Sequence, residues 1–287
     1  MTTRSALSSD GTASPLNAIE LDERNREFWD ELCGSGFAQS LGLVGRDRET
    51  LDAFDRAYFA FYPYLLGYVD RFELAGSRVL EVGLGYGTLG EEIARRGAEY
   101  HGLDIAAGPV RMMRHRLAML GDSGEDRIVQ GSAVAMPFKD ATFDYVYSIG
   151  CLHHTGALAT SIEEVRRVLV PGGHAVVMLY HAGSARQLLK VRLPAAAARL
   201  RGRSGPSRED TIRLYDSDSS GAAAPHTDFV SRRMVHNLFG RYAEVRIETR
   251  NFDDIRLRRR ILVPRARVLG SILEQRYGLD LYIVARR

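Results

Sequence analysis

Residues 79–90 read VLEVGLGYGTLG, an apolar run closed by an acid and followed by Gly83, Gly85, Gly87 and Gly90 within eight positions. A residue without a Cβ permits both tight turning and close approach to the backbone, so such a loop is built to receive something. Two patterns overlap in it. Gly85, Gly87 and Gly90 match the G-x-G-x-x-G spacing of dinucleotide sites, while Gly83, Gly85 and Gly87 alternate as G-x-G-x-G. RVLEV before the loop reads as a strand. TLGEEIARRG after it reads as a helix with Leu89 and Ile93 inward and Gly97 as its stop. A strand-to-helix turn of this kind belongs at the carboxyl edge of an open α/β sheet, where such sheets bind ligands.

The same rhythm continues outward. EYHGLDI is the next strand, GPVRMMRHRLAMLG a helix ending in Gly, RIVQGSA the third strand and FDYVYSIG the fourth. Leu158, Ile162, Val165 and Leu169 mark one face of a helix that stops at PGG before the strand HAVVMLY. SRRMVHNLFG reads as a helix with Ser231 as N-cap and Gly240 at its end. AEVRIE and LDLYIVAR read as two closing strands, with an insertion at 250–279 that holds another helix. The fold class that follows is α/β: a Rossmann-like, seven-stranded, mostly parallel sheet whose last strand runs antiparallel beside AEVRIE.

Other segments surround this core. Residues 1–16 lack the apolar centre of a secretory signal and read as a disordered leader. Residues 17–75 form a helical N-terminal cap, with ERNREFWDELCG capped by Asn17 or Asp22 and a second helix broken at Pro63. That second helix is rich in aromatic residues, among them Tyr58, Tyr62, Tyr64 and Tyr68. The core then spans 76–182 and 229–287, interrupted by an inserted helical and flexible cap segment at 183–228, with mobile stretches around GRSGPSRED and DSDSSGAAAP.

Composition narrows the function classes. No run approaches the roughly 18 apolar residues of a membrane span, and a net charge of +3 does not announce nucleic-acid binding. Cys33 and Cys151, far apart and outside any C-x-x-C pair, fit a reducing compartment and offer no metal framework; the reading is a cytoplasmic protein. Basic residues cluster in RQLLKVRLPAAAARLRGRSGPSR and RLRRRILVPRAR, read as a solvated face rather than a surface for an anionic partner.

Glu81 bears on the choice of ligand. A helix N-terminus favours an anionic group, but a carboxylate at the strand end repels a pyrophosphate. A ligand with a carboxylate for the helix and an amine or sulfonium for the acid suits the loop better. S-adenosylmethionine carries all three groups.

VLEVGLGYGTLG, YHGLD, GSAVAMPFKDATFDYVYSIGCLHHT and VLVPGGHAVVM, in this order, resemble the class I S-adenosylmethionine-dependent methyltransferases, in their small-molecule, type 11-like branch. The resemblance implies that Gly83, Gly85 and Gly87 pass beneath the cofactor's methionyl part while Glu81 holds its amino end. It implies that Asp104 accepts both ribose hydroxyls, as a carboxylate can from a cis-diol, with helix capping as the alternative role. Ile105 would lie on the adenine face. Where the family block reads GDA this chain reads GSA, so Ser132, beside Ala133, offers an uncharged and weaker acceptor to the adenine. Ile149 and Gly150 would line the methyl-donor end. His153 and His154, just past the fourth strand, are the candidate bases for an acceptor that must lose a proton. Tyr58, Tyr62 and Tyr64, with the segment before His226, would form the substrate lid. The implied function is methyl transfer to a small-molecule acceptor, natural-product or lipid-like. The alternatives are a nucleic-acid methyltransferase using the basic C-terminal third and a nicotinamide-dependent oxidoreductase; the fourth strand lacks the motifs of DNA-methylating enzymes, and Glu81 disfavours the nicotinamide reading.

Overall fold

The computed structural model describes residues 15–32, 37, 41–43, 45–122, 124–257 and 260–287. The leader up to residue 14 and Cys33 lie outside the described residues. Strands β1 (Arg78–Val82), β2 (Glu99–Asp104), β3 (Ile128–Gln130), β4 (Phe143–Ile149), β5 (Leu169–Tyr180), β6 (Glu244–Arg250) and β9 (Asp280–Arg286) form one sheet in the order β3-β2-β1-β4-β5-β9-β6. The first five pair in parallel. β9 runs antiparallel to both neighbours, Ile283 pairing with Val177 on one side and Ile247 on the other. The closing strand therefore slots between β5 and β6, as the apolar run LDLYIVAR requires of a strand buried on both faces.

Successive side chains on a strand point to opposite faces, and the core divides accordingly. On one face Leu80, Val146, Val177 and Ile283 pack with helices α6 (Leu158–Val168) and α10 (Arg232–Leu238) through Ile162, Val165 and Val235. On the other, Val79, Tyr147, Val176 and Tyr282 pack with α4 (Thr88–Arg95) and α5 (Ala107–Met119) through Leu89, Ile93, Met113 and Leu117. Each such fully buried side chain contributes roughly 1.5–3 kcal/mol over its exposed state.

The described part of the N-terminal segment carries three helices whose bounds differ from those read from the sequence. Helix α1 (Pro15–Leu32) starts upstream of both Asn17 and Asp22, because a proline's fixed φ suits a first helical turn. Helix α2 (Arg48–Phe61) is capped by Asp47, which accepts from the Thr50 amide at 2.9 Å, and it stops before Pro63; α3 (Leu66–Val69) follows. The PGG stretch is not a plain helix-to-strand loop. Leu169 already pairs with Phe143, and the register slips before His174 pairs with Tyr145, so Pro171–Gly173 form an irregularity inside β5.

The 183–228 segment carries more order than its composition suggests. α7 (Ala185–Gln187) runs through a π-helical stretch (Leu188–Arg192) into α8 (Leu193–Leu200). α9 (Arg208–Arg213) begins with a reciprocal Ser207–Asp210 capping box. DSDSSGAAAP folds as a turn in which Asp218 accepts from Ser220 and Ala222, closed by a Ser217–Ala223 bridge. The 250–279 insertion holds helices α11 (Arg265–Val268) and α12 (Ile272–Tyr277), and also a ribbon of β7 (Ile255–Leu257) and β8 (Arg260–Val263).

Candidate active site

The β1–α4 turn uses its glycines for two different purposes. Gly83, Gly85 and Gly87 all have left-handed backbone, at φ +87°, +50° and +77°. A Cβ on Gly83 would collide with Cys151, and one on Gly87 would sit 2.7 Å from Arg116 Cδ. Those two allow the loop to pack against the protein. At Gly85 a Cβ would meet nothing within 4 Å, and this residue opens on a cavity of about 490 Å3. Gly83 also lines that cavity; Gly87 serves as the N-cap position of α4 and does not.

Asp104, at the carboxyl end of β2, faces the cavity. Its Oδ2 accepts from the Leu84 amide at 2.7 Å and its Oδ1 from Ala106 at 2.9 Å, so the side chain ties the two βα loops together. The Gly85 and Ile105 amides also face this carboxylate. Burial pushes its pKa up to about 6. The N-cap position of α5 is Ala106, two residues after Asp104. Ile105, Ser132 and Ala133 continue the wall on one side, and Ile149, Gly150 and Cys151 on the other. Asp22, Asn25 and Trp29 of α1 close the cavity from above, and Asn25 Oδ1 is buried there without a partner.

Glu81 does not reach this cavity. Strand alternation turns its side chain beneath α4, where a Cβ on Gly90 would lie 2.6 Å from its Oε2, and the Tyr100 hydroxyl donates to it at 2.5 Å. Burial pushes its pKa up to about 8. It stands behind the glycine loop, not at a ligand's amino end.

The two histidines part company. His153 is fully buried, its ring 4.1 Å from that of His154 and 4.2 Å from that of Tyr180, and it does not line the cavity. His154 does. Its Nδ1 donates to the His226 carbonyl at 2.8 Å, which leaves Nε2 as the free lone pair of the neutral ring. That Nε2 has no hydrogen-bond partner, and neither has Asp216 Oδ2, 3.8 Å away. Asp216 Oδ1 takes the Tyr180 hydroxyl at 3.1 Å. Burial lowers the pKa of His154 and raises that of Asp216.

A second cavity, about 410 Å3, shares Tyr215 and Asp216 with the first. It sits at the carboxyl ends of β5 and β6 and is polar, with Asp216, Asp253, Asp254 and Asp280 against Arg186 and Arg265. Arg186 is held by both oxygens of Asp253, and burial pushes Asp280 up to about 7. Of the tyrosines assigned to a lid, only Tyr62 lines this cavity. Tyr58 and Tyr64 line neither; they pack in the second core cluster, Tyr64 against Tyr282 at 5.5 Å, because an aromatic helix face buries more area in the core than over a cleft. His226 contributes its carbonyl, while its ring lies 3.0 Å from Asp228 and away from both cavities.

Asn25, Trp29, Tyr215 and Asp216 are site residues the sequence reading missed. A polar residue in a turn-rich stretch has no spacing that ties it to a glycine loop far upstream; only the Ser184 cap of α7 and the capped α9 bring Tyr215 and Asp216 back over the sheet edge.

Comparison with known proteins agrees with this geometry. Residues 80–177 match the methyltransferase domain family. A sterol 24-C-methyltransferase from Gibberella zeae is 37% identical over 123 residues, 42% of this chain and 32% of the relative. A fatty-acid O-methyltransferase from Mycolicibacterium smegmatis is 38% identical over 104 residues, 36% of each protein. The chain thus spans about a third of the length of these curated relatives. Among solved structures, a chain of the complex between the Trm112 methyltransferase activator and a methyltransferase of Haloferax volcanii superposes with TM-score 0.53 at 16% identity, covering 84% of this chain and 95% of that one. A methyltransferase from Archaeoglobus fulgidus gives 0.50 at 15%, covering 88% and 99%. At such identities the superpositions establish the fold. Residues 80–177 therefore carry the methyltransferase-domain match, within a sheet that β9 and β6 complete.

Proposed function

We propose that this protein transfers a methyl group from S-adenosylmethionine to a small-molecule acceptor seated in the second cavity, with His154 as the base for an acceptor that must lose a proton. The observation that carries the reading is Asp216, which lines both cavities and stands 3.8 Å from the unbonded Nε2 of His154.

The residues of the first cavity fit the cofactor. The open side of Gly85 is a cradle that any side chain would fill, and the Asp104 carboxylate, an acceptor for a diol, lines the same cavity. Ile105, Pro109 and Ala133 provide apolar walls for a flat ring, and Ser132 a hydroxyl at its edge. With Glu81 turned away, Asp22 and Asn25 are the acceptors available to a cationic amino group. When bound, the cofactor supplies an electrophilic methyl group that needs alignment more than activation. The protein's work is then to hold the acceptor: Tyr62, Arg265 and the aspartates select a polar group at its reacting end. Neutral His154 stands ready to take a proton at Nε2, and Asp216 stabilises the imidazolium that results.

A thermal-shift titration with S-adenosylhomocysteine, NAD and a short DNA duplex tests the reading. Stabilisation by the first alone is expected; stabilisation by NAD or duplex alone overturns it. Asp104→Ala should lose charge-assisted bonds worth roughly 1.5–3 kcal/mol each. Its affinity for S-adenosylhomocysteine by calorimetry should then fall by at least about tenfold.

A further inference from the structure

The strongly basic segment after β5 has no part in the site described above. Between Leu188 and Pro206 there are five cations, Lys190, Arg192, Arg199, Arg201 and Arg203, and no acid. All five are exposed. Among them stand three apolar side chains at helical spacing: Leu189, Leu193 and Leu200 are 64%, 59% and 89% exposed. Within α8, at 3.6 residues per turn, Leu193 and Leu200 share one face with Ala196, flanked by Arg199 on one side and Arg201 on the other, and Leu189 precedes them in the π-helical stretch with Lys190 and Arg192. α8 buries none of its residues.

An eight-residue helix without tertiary packing is marginal in water, and bare leucines on it are a cost that a partner removes. The β7–β8 ribbon extends the same character, with Ile261 at 45% and Leu262 at 54% exposure beside exposed Arg256 and Arg260. Helix and ribbon are rooted together, since Arg186 at the start of α7 grips Asp253 just before β7, and both residues line the second cavity.

We infer that α7–α8 and the β7–β8 ribbon form a docking surface for an anionic lipid bilayer, with the leucines in the acyl boundary and the arginines and lysine at the headgroups. The pattern is that of interfacial helices, whose long cationic side chains carry their charge up to the phosphates while the apolar face enters the membrane. Charge complementarity selects this occupant. Two copies of a strip with five cations and no acid repel each other, and a nucleic acid would gain nothing from exposed leucines. No helix among the described residues is long and apolar enough to cross a membrane.

The test is co-sedimentation of the full chain with vesicles of phosphatidylcholine alone or mixed with phosphatidylglycerol, at low and high salt. Binding to the mixed vesicles is expected to exceed that to the neutral ones by on the order of tenfold and to weaken with salt. Leu193→Ser with Leu200→Ser, and separately Arg199→Glu with Arg201→Glu, should each reduce it by a similar factor while the thermal midpoint stays level, since α8 contributes nothing to the core. Failure to pellet with anionic vesicles overturns the inference. So does native-level pelleting by both variants, or loss of duplex binding or of a dimer in the same variants. The assay involves no methyl transfer, so its failure leaves the proposed reaction standing.

Discussion

At His154, burial holds the imidazole below its ordinary pKa of about 6.5, so the ring is a free base at neutral pH. If it takes the acceptor's proton, turnover should stay level down through the ordinary imidazole range and decline only at lower pH, as the ring protonates. His154→Ala should cut turnover by roughly 10²- to 10⁴-fold and remove that acid limb. His153→Phe, which keeps the stacked ring and has no cavity face, should preserve both rate and profile. Equal pH–rate profiles in the two variants would exclude His154 as base. Glu81 makes a separate prediction. Its folded pKa of about 8 lies above the unfolded value near 4.5, so the stability tied to its protonated form is complete below pH 4.5 and is lost as pH rises through 8. His153 and His154 oppose this, since their lowered pKa values give stability that is lost as pH falls. Comparing Glu81→Gln with the parent isolates the one group: the variant should gain on the parent by on the order of 4 kcal/mol between pH 5 and 8 in denaturant unfolding. A constant difference across that range would show that Glu81 is ionised in the fold.

Between elements, the tightest polar joint is Arg116 of α5, whose guanidinium is fully buried. It donates to both oxygens of Asp55 on α2, at 2.8 and 2.9 Å, and to Glu91 on α4 at 2.6 Å. Thr88 adds a bond to Asp55 at 2.7 Å, so this cluster presses the aromatic helix against the start of α4 and thereby fixes the glycine loop. Removing Arg116 takes the cationic partner from Asp55, while Glu91 keeps Arg48 and Arg95, so Arg116→Met should cost about 3 kcal/mol in denaturant unfolding. Replacing Arg116, Asp55 and Glu91 together by apolar residues of similar volume should cost much less, and equal losses would mean that packing, not charge, governs the joint. Nothing in the sequence marks this triad, because its members belong to three helices whose apolar faces alone are periodic. The helices themselves were legible through Leu89 and Ile93, or Ile162 and Val165, which repeat at the spacing of a buried face. The β7–β8 ribbon was not, since IRL and RILV are short and interrupted by arginines, and RILV is mostly exposed. Pro171–Gly173 misled in another way: their turn chemistry is real, but Leu169 enters the sheet before them.

Over the whole molecule, stability should concentrate in the sheet and thin out toward α8. Two distant parts of the sequence predicted this sheet, VLEVGLGYG by its loop and LDLYIVAR by its unbroken apolar run, and they sit in one core because β9 inserts between β5 and β6. The first cavity was legible where Asp104, Ile105 and Ser132 follow strand ends at fixed spacing. Asn25, Tyr215 and Asp216 reach it from segments with no register to those strands. Ile283 tests the gradient from the inside: fully buried and paired with Val177 and Ile247, it should cost about 2–5 kcal/mol when cut to Ala. For a domain of this size that is a fall of roughly 5–15 °C in thermal midpoint. Leu200→Ala removes as large a side chain from a position that is 89% exposed, and should move the midpoint by no more than about 1 °C. A comparable loss in both would mean that α8 is packed in solution and that its leucines are already covered by this chain, whereas a large gap between them leaves the helix free to find its own surface.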